Sequence, residues 1–439
     1  MRATPLRAEL LRGFAPWAGV AVLLTLSVAL WSKADQWQGS WGETHAELHS
    51  AATLLGGPLA AAAGCWQGGR ERRRRTVELL ASAARGRLAQ FLAAALPTAL
   101  WAAAGYAVAA AGALLASRPY ASAGEPVLSL LPMDAAFVVA CTLIGHVVGR
   151  LVAWRLAAPL LAIAAYLALG VPTYLTADAR YLSPASAEAW SMFLPVWWLP
   201  LAMAAWTGGL AAGAVLACAA RRRYTALLPL AAAGAAGALM VQTGDAMWRD
   251  DPLASRQVCD TSVRPDICVN AQYPDLLPKV VVALSGVTGR LEGVENLPVR
   301  FVDENRDLGP DEARLPLLTP IGWSVVRGEL VDPEQYAWEA ASALTRRARD
   351  CEARDLDPRA RRVDQAVTDW LHPDPVRGGL EERAEAGGGT QGGAQDAEVE
   401  ADQRALARLT SMPDEKRRAW LSDYFATVAS CDPAKVPAL

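Results

Sequence analysis

Seven long apolar stretches, almost free of charged side chains, occupy the first 244 residues and limit the folds open to this chain. A helix of about 20 mostly apolar residues can cross the hydrocarbon of a bilayer, where the backbone must satisfy its own hydrogen bonds. The stretches therefore predict transmembrane helices. The predicted spans are at about residues 13–32, 48–69, 90–117, 133–154, 156–177, 191–220 and 224–244.

The formal charge of the chain changes sign where the apolar stretches end. Residues 1–244 contain 18 Lys and Arg against 10 Asp and Glu, whereas residues 245–439 contain 24 against 35. An acidic segment of that length, without long apolar runs, is typical of a water-exposed domain with a core of its own. The sequence thus predicts a membrane domain over 1–244 and a separate domain over 245–439.

The distribution of basic residues predicts the orientation of the membrane domain. Loops rich in Lys and Arg stay on the cytoplasmic side. With alternating spans, one side holds 15 of the 18 basic residues of the membrane domain: residues 1–12, 70–87, 150–155 and 221–223. We therefore expect a multi-pass protein of the cytoplasmic membrane with its N-terminus inside. Seven spans place residues 245–439 outside.

Four cysteines lie in the predicted outer domain: Cys259, Cys268, Cys351 and Cys431. An even number of cysteines in an oxidising compartment favours disulfide bonds. The preferred pairing joins Cys259 to Cys268, which are close in sequence, and Cys351 to Cys431. Four cysteines allow three pairings, and free thiols are the alternative.

The outer domain is predicted to be α+β and mainly helical. Alternation and helical spacing of apolar residues indicate a strand at 266–272, a helix at 274–293 and a strand at 297–303. Four helices follow, at about 333–350, 357–371, 398–411 and 413–430. The glycine-rich residues 373–397 predict a flexible loop.

Motifs of common enzymes are missing from the sequence. It contains no His-Glu-x-x-His, no Gly-x-Ser-x-Gly and no nucleotide-binding loop. We expect a protein that is not an enzyme, holds no metal and leaves any ATP and Mg²⁺ to another subunit. The short arginine run lacks interleaved aromatic residues, so nucleic-acid binding is not expected.

The loop between the second and third spans has two parts. Five of its seven arginines lie within 70–75, and after them apolar and charged residues alternate as on a short amphipathic helix. The loop has, in order, Glu71, Arg72, Thr76, Glu78, Leu79, Leu80, Ser82 and Arg85. With these residues the loop resembles the coupling segment of type-2 ABC exporter permeases. Val77 is expected to be a further apolar anchor of the same short helix.

The resemblance covers residues 1–220 and extends to the number and orientation of the first six spans. It implies a permease that dimerises with a second copy or a paralogue, lies in the lipid bilayer and contacts a separate ATP-binding subunit through loop 70–87. The chain departs from the family at Arg75, where glycine is usual, and at Ala84, where proline is common. It also adds a seventh span and the outer domain. The alternative function is a non-transporting membrane anchor that displays an outer binding or sensory domain.

Within the spans, His146 is the ionisable residue farthest from a predicted end, and such residues often serve transport. It lies one helical turn from Arg150, so a packing role is the alternative. Trp197 and Trp198 are predicted either to anchor the chain at the membrane interface or to line a pathway. His45 and His49 have the i, i+4 spacing of zinc ligands, but no third ligand is near in sequence.

Overall fold

The structure is a computed structural model of the chain. It describes residues 13–74, 86–152, 154–175, 177–186, 192–303, 308–309, 311–318, 324–345, 357–375 and 393–439. The chain forms two compact units, the first ending at Asp251 and the second beginning at Pro252. The sequence predicted this boundary at 244/245. The chain departs from that prediction because residues 248–250 pair with a strand of the first unit.

The first unit is a helical bundle. Its helices are α1 (Ala15–Ser32), α2 (Trp41–Ala51), α3 (Gly57–Gly68), α4 (Arg87–Ser117), α5 (Leu130–Leu151), α6 (Ala157–Gly170), α7 (Leu199–Ala219) and α8 (Leu227–Thr243). Six helical segments in the described part of the chain are long and apolar enough to cross a membrane. These are Ala15–Ser32, Arg87–Ser117, Leu130–Leu151, Ala157–Tyr174, Leu199–Ala219 and Arg223–Met247. The fold class is that of a helical, multi-pass membrane protein.

The predicted second span, 48–69, is not among these six segments. The chain is helical from Trp41 to Gly68, but the π-helical turn Ala52–Gly56 divides it into segments of 11, 5 and 12 residues. A π-turn inserts an extra residue into the helix and recurs at functional sites. The charge pattern of the sequence contains no signal for it.

The predicted sixth span, 191–220, begins too early. Helix α7 starts at Leu199 because the preceding residues form strand β1 (Phe193–Pro195), which pairs antiparallel with β2 (Trp248–Asp250). The chain between α8 and β2 turns at Gly244, whose φ of 57° lies in the left-handed region that glycine adopts without a steric penalty.

Helices α3 and α5 run side by side in the same direction and cross at glycines. A Cβ atom added to Gly145 would lie 2.0 Å from the carbonyl oxygen of Ala61, and one added to Gly149 would lie 2.0 Å from that of Cys65. The contact is reciprocal, since a Cβ atom added to Gly64 or Gly68 would lie 2.1 or 2.3 Å from a carbonyl oxygen of α5. Small residues four apart allow two helix backbones to touch, which favours association in a bilayer.

The second unit contains a four-stranded sheet. The strands are β3 (Gln257–Asp260), β4 (Asp266–Asn270), β5 (Arg300–Val302) and β6 (Glu312–Arg314), in the order β3-β4-β5-β6. Strands β3 and β4 are antiparallel, and the other two pairs are parallel. The predicted strands 266–272 and 297–303 correspond to β4 and β5. The sequence analysis missed β3 and β6, which are short.

Helices cover this sheet and supply most of the core. They are α9 (Leu277–Arg290), α10 (Pro333–Thr345), α11 (Pro358–Leu371), α12 (Gly393–Thr410) and α13 (Asp414–Thr427), and a small hairpin pairs β7 (Val325–Val326) with β8 (Glu329–Leu330). Asp357 caps α11 by accepting a hydrogen bond from the amide of Ala360 at 2.7 Å. Residues 393–397 are helical rather than part of the predicted flexible loop, and 376–392 lie outside the described residues.

A disulfide bond joins Cys259 on β3 to Cys268 on β4, as predicted. The two residues are direct partners in the antiparallel register. Cys431 is also disulfide-bonded, and its predicted partner Cys351 lies outside the described residues. Cys65, Cys141 and Cys218, in the first unit, are free thiols.

Replacing Cys259 and Cys268 with alanine is expected to destabilise the second unit by about 2–3 kcal/mol. The bond closes a loop with a sequence separation of 9, and the loop-closure entropy of such a loop has that size. Chemical unfolding of the full chain, followed by tryptophan fluorescence, measures the change. A variant as stable as the parent protein would show that the sheet forms equally well without the bond.

Candidate functional site

A buried, hydrogen-bonded histidine–aspartate pair connects α2 to α5 in the first unit. The Nδ1 atom of His49 lies 2.6 Å from Oδ1 of Asp134, and Nε2 lies 2.6 Å from the carbonyl oxygen of Pro184. The hydroxyl of Tyr106, on α4, donates to the other carboxylate oxygen of Asp134 at 3.1 Å. All three residues are at most 3% exposed. We call His49, Asp134 and Tyr106 the histidine–aspartate cluster.

The partners of His49 determine how many protons the cluster holds. A carbonyl oxygen only accepts hydrogen bonds, so Nε2 of His49 carries a proton that it donates to Pro184. A second proton then lies in the short contact between Nδ1 and Asp134, bound to one atom or the other. In both arrangements the pair is neutral overall, which avoids the large cost of an unpaired charge in a buried site.

The cluster also lies directly beside the π-turn. Thr53, within that turn, donates its hydroxyl to the backbone carbonyl of His49 at 2.7 Å. The cluster therefore ties together α2, α4, α5 and the segment around Pro184 at the point where the helix from Trp41 to Gly68 changes its hydrogen-bond pattern. Any movement of α5 relative to α2 must break or rearrange these contacts.

His45 lies one turn before His49 on the same buried face. Its Nε2 accepts the backbone N–H of Val127 at 2.9 Å, so this nitrogen has no free lone pair. Both nitrogens of His49 are occupied as well. The two histidines are thus engaged in protein hydrogen bonds rather than available as a zinc pair. No group of three or more metal-ligating side chains occurs among the residues that the structure describes.

A second polar group lies at the other end of α3 and α5. Glu71 pairs with Arg150 at 3.2 Å, and Arg72 donates to the carbonyl oxygen of Leu151 at 3.2 Å. The guanidinium of Arg150 also lies 5.5 Å from the centre of the Phe91 ring, within the range of a cation–π contact. We call this the arginine-rich end of the bundle.

The predicted coupling residues are described only in part. Glu71 and Arg72 lie on the helical turn Arg70–Arg73, which follows α3 directly. Their contacts attach the start of the loop to α5. Thr76, Val77, Glu78, Leu79, Leu80, Ser82 and Arg85 lie outside the described residues.

The structure does not bring the predicted pathway residues together. His146 is buried at the α3–α5 crossing, next to the backbone of Gly68 and in T-shaped contact with the Phe91 ring. Its Nδ1 has no hydrogen-bond partner among the described residues. Trp198 packs against a group of buried hydrophobic residues that includes Leu130, while Trp197 is 82% exposed to solvent. A transport role for these three residues stays a prediction.

The sequence analysis missed the histidine–aspartate cluster. It gave His146 the greater weight because Asp134 lies near the end of its predicted span. The structure places Asp134 in the first turns of α5 and fully buried. An aspartate at the start of an apolar helix was the available signal, because a buried carboxylate requires a partner.

The described residues of the second unit also include buried polar groups. Tyr336 on α10 is buried, and its hydroxyl has no hydrogen-bond partner among the described residues. Burial, together with nearby Asp303, raises the pKa of Tyr336 well above its ordinary value, so the phenol stays neutral. Glu312 forms two contacts with Arg300, at 3.0 and 2.7 Å, which join β6 to β5.

Comparison of the chain with protein-family models, curated proteins and solved structures found no match. The class of the protein therefore rests on its own fold: a helical membrane unit with a buried polar cluster, followed by a compact α+β unit.

Proposed function

We propose that this chain is the membrane-spanning permease subunit of an ABC-type exporter, coupled through loop 70–87 to a separate ATPase. One observation carries the proposal: the start of the loop is attached to α5, the helix that also carries Asp134 of the histidine–aspartate cluster. Glu71 and Arg72 contact α5 at one end, and His49 contacts α5 at the other. Movement of the loop is thereby transmitted along α3 and α5.

The tight α3–α5 crossing supports rigid transmission. Its glycines leave no space for the backbones to slide without separating. ATP binding closes a pair of ATPase subunits by rigid-body motion. A helix that contacts an ATPase subunit and is attached to the bundle can pass that motion to the bundle. ATP and Mg²⁺ belong to the partner subunit in this scheme.

Seven spans, rather than six, fit this proposal. The helix from Trp41 to Gly68 is about 40 Å long and packs along α5, which is itself apolar and long enough to cross. With this helix counted, the basic loops share the cytoplasmic side and residues 252–439 lie outside the cell membrane. The Cys259–Cys268 bond supports the same placement, since disulfides persist in oxidising compartments.

Affinity purification of the tagged full-length chain in mild detergent tests the proposal. We expect an ATPase subunit to accompany the parent protein and to be lost from Glu78→Arg, because a reversed charge in the loop disrupts its docking surface. Arg74→Gln, at the exposed start of the same loop, is the control and should retain the ATPase.

Two outcomes would contradict the proposal. Retention of the ATPase by Glu78→Arg would show that the loop is not the contact. Absence of any ATPase from the parent protein would favour the membrane anchor, which is supported by the separate core of the second unit. In that case the next question is what the second unit binds.

A further inference from the structure

A basic cavity of about 550 Å³ lies at the arginine-rich end of the first unit. Arg72, Arg87, Arg150 and Arg223 line it, and Glu71 is the single acidic residue among the lining side chains. These arginines come from the turn after α3, from the start of α4, from α5 and from the turn before α8. Four elements thus direct an excess of three positive charges toward one site.

Contacts within the protein neutralise this charge only in part. Glu71 pairs with Arg150, and Arg72 donates to a neutral carbonyl group. Arg87 and Arg223 are exposed and form no hydrogen bond or ion pair with a described residue. Two guanidinium groups are therefore available to a ligand, and guanidinium binds phosphate through paired hydrogen bonds.

The rest of the cavity wall is apolar. Val147 and Leu151 on α5 face it, together with Ala214, Ala217 and Ala219 on α7. A small inorganic anion is not stabilised by contact with an apolar wall. The acyl chains of a lipid are, because they bury apolar surface against it. The cavity also lies at the ends of helices that are long enough to cross a membrane, at the depth where lipid head groups are found.

We infer that this cavity binds the phosphate head group of an anionic phospholipid, with Arg87 and Arg223 on the phosphate and the α5–α7 wall on the start of the acyl chains. Basic pockets between membrane helices bind anionic lipids in this manner. The inference does not depend on an ATPase partner and goes beyond the proposed export function. It adds a lipid site beside the base of the loop.

Native mass spectrometry of the purified full-length protein tests the inference. With phosphatidylglycerol and phosphatidylcholine of identical acyl chains, we expect saturable and preferential binding of phosphatidylglycerol. Arg87→Gln/Arg223→Gln should weaken that binding about 25-fold, from roughly fivefold for each arginine near an anionic lipid. The matched control is Arg221→Gln/Arg222→Gln, which removes the same charge from adjacent residues that do not line the cavity.

A native thiol provides a second readout that does not need the arginine variants. Cys218 lines the cavity and is a free, partly buried cysteine. Phosphatidylglycerol should slow its modification by maleimide, measured by peptide mapping, while inorganic phosphate and phosphatidylcholine should not.

Three results would overturn the inference. Equal loss of binding in the control variant would indicate general surface charge, and equal affinity for the two lipids would remove the need for an anionic head group. Protection of Cys218 by inorganic phosphate to the same degree as by lipid would indicate a site for the free anion.

Discussion

Replacing Asp134 with alanine is expected to destabilise the first unit by about 3–5 kcal/mol, the largest effect of any single polar substitution that we predict. The variant leaves Nδ1 of His49 without the carboxylate that shares its proton, in a site that is almost fully buried. It also removes the acceptor of the Tyr106 hydroxyl. Unfolding in mixed micelles with increasing SDS, followed by circular dichroism, measures the difference.

Two further variants distinguish the effect of the buried polar pair on stability from the effect of lost side-chain packing. Glu47→Ala removes the half-exposed ion pair with Lys33, whose atoms lie 2.8 Å apart, and should cost less than about 1 kcal/mol. His49→Leu/Asp134→Leu replaces both buried partners with apolar groups and should recover most of the lost stability. If Asp134→Ala costs no more than Glu47→Ala, the cluster does not hold a buried charge.

Replacing Gly149 with alanine is expected to destabilise the bundle by about 2–3 kcal/mol, the size of an overpacking penalty in a close-packed core. The added methyl group would lie 2.0 Å from the carbonyl oxygen of Cys65, so α3 and α5 must move apart. That separation would weaken the Glu71–Arg150 contact next to it. The yield of folded protein and the SDS unfolding midpoint report the change.

The chain contains well-matched controls for this experiment. A Cβ atom added to Gly112 or Gly234, both within helices, would meet no other heavy atom within 4 Å. Alanine there should be neutral or stabilise by up to about 1 kcal/mol, since glycine is a poor helix former. A cost at Gly149 equal to that at Gly112 would mean that the helix crossing is looser than the structure describes.

Local composition was sufficient to predict several elements. The six apolar segments that can cross a membrane coincide with predicted spans, because transfer into hydrocarbon depends on the side chains of one segment. The helix at Pro358 follows from the Asp-Pro cap, and the Cys259–Cys268 bond from its short sequence separation. Each of these features is determined by residues close together in the chain.

The candidate site required information about distant contacts. His49 and Asp134 are separated by 85 residues, and Glu71 and Arg150 by 79. One partner of each pair lies on α5, and the other lies just before or just after α3, whose register against α5 is set by the glycine crossing. The sequence also has a Gly-x-x-x-Gly pattern at 209–213, but the Gly64/Gly68 and Gly145/Gly149 patterns are the ones that align α3 with α5. In an alanine-rich bundle, spacing alone does not reveal which small residues meet.

The sequence by itself determined which segments are apolar enough to enter a membrane, which loops are basic and which part of the chain lacks long apolar runs. These properties are sums over neighbouring residues. Only the tertiary structure decided that His49 faces Asp134, that a π-turn follows it and that four arginines surround one cavity. Such contacts depend on the rotation and register of packed helices, which are set by shape at every crossing and not by the composition of any one helix.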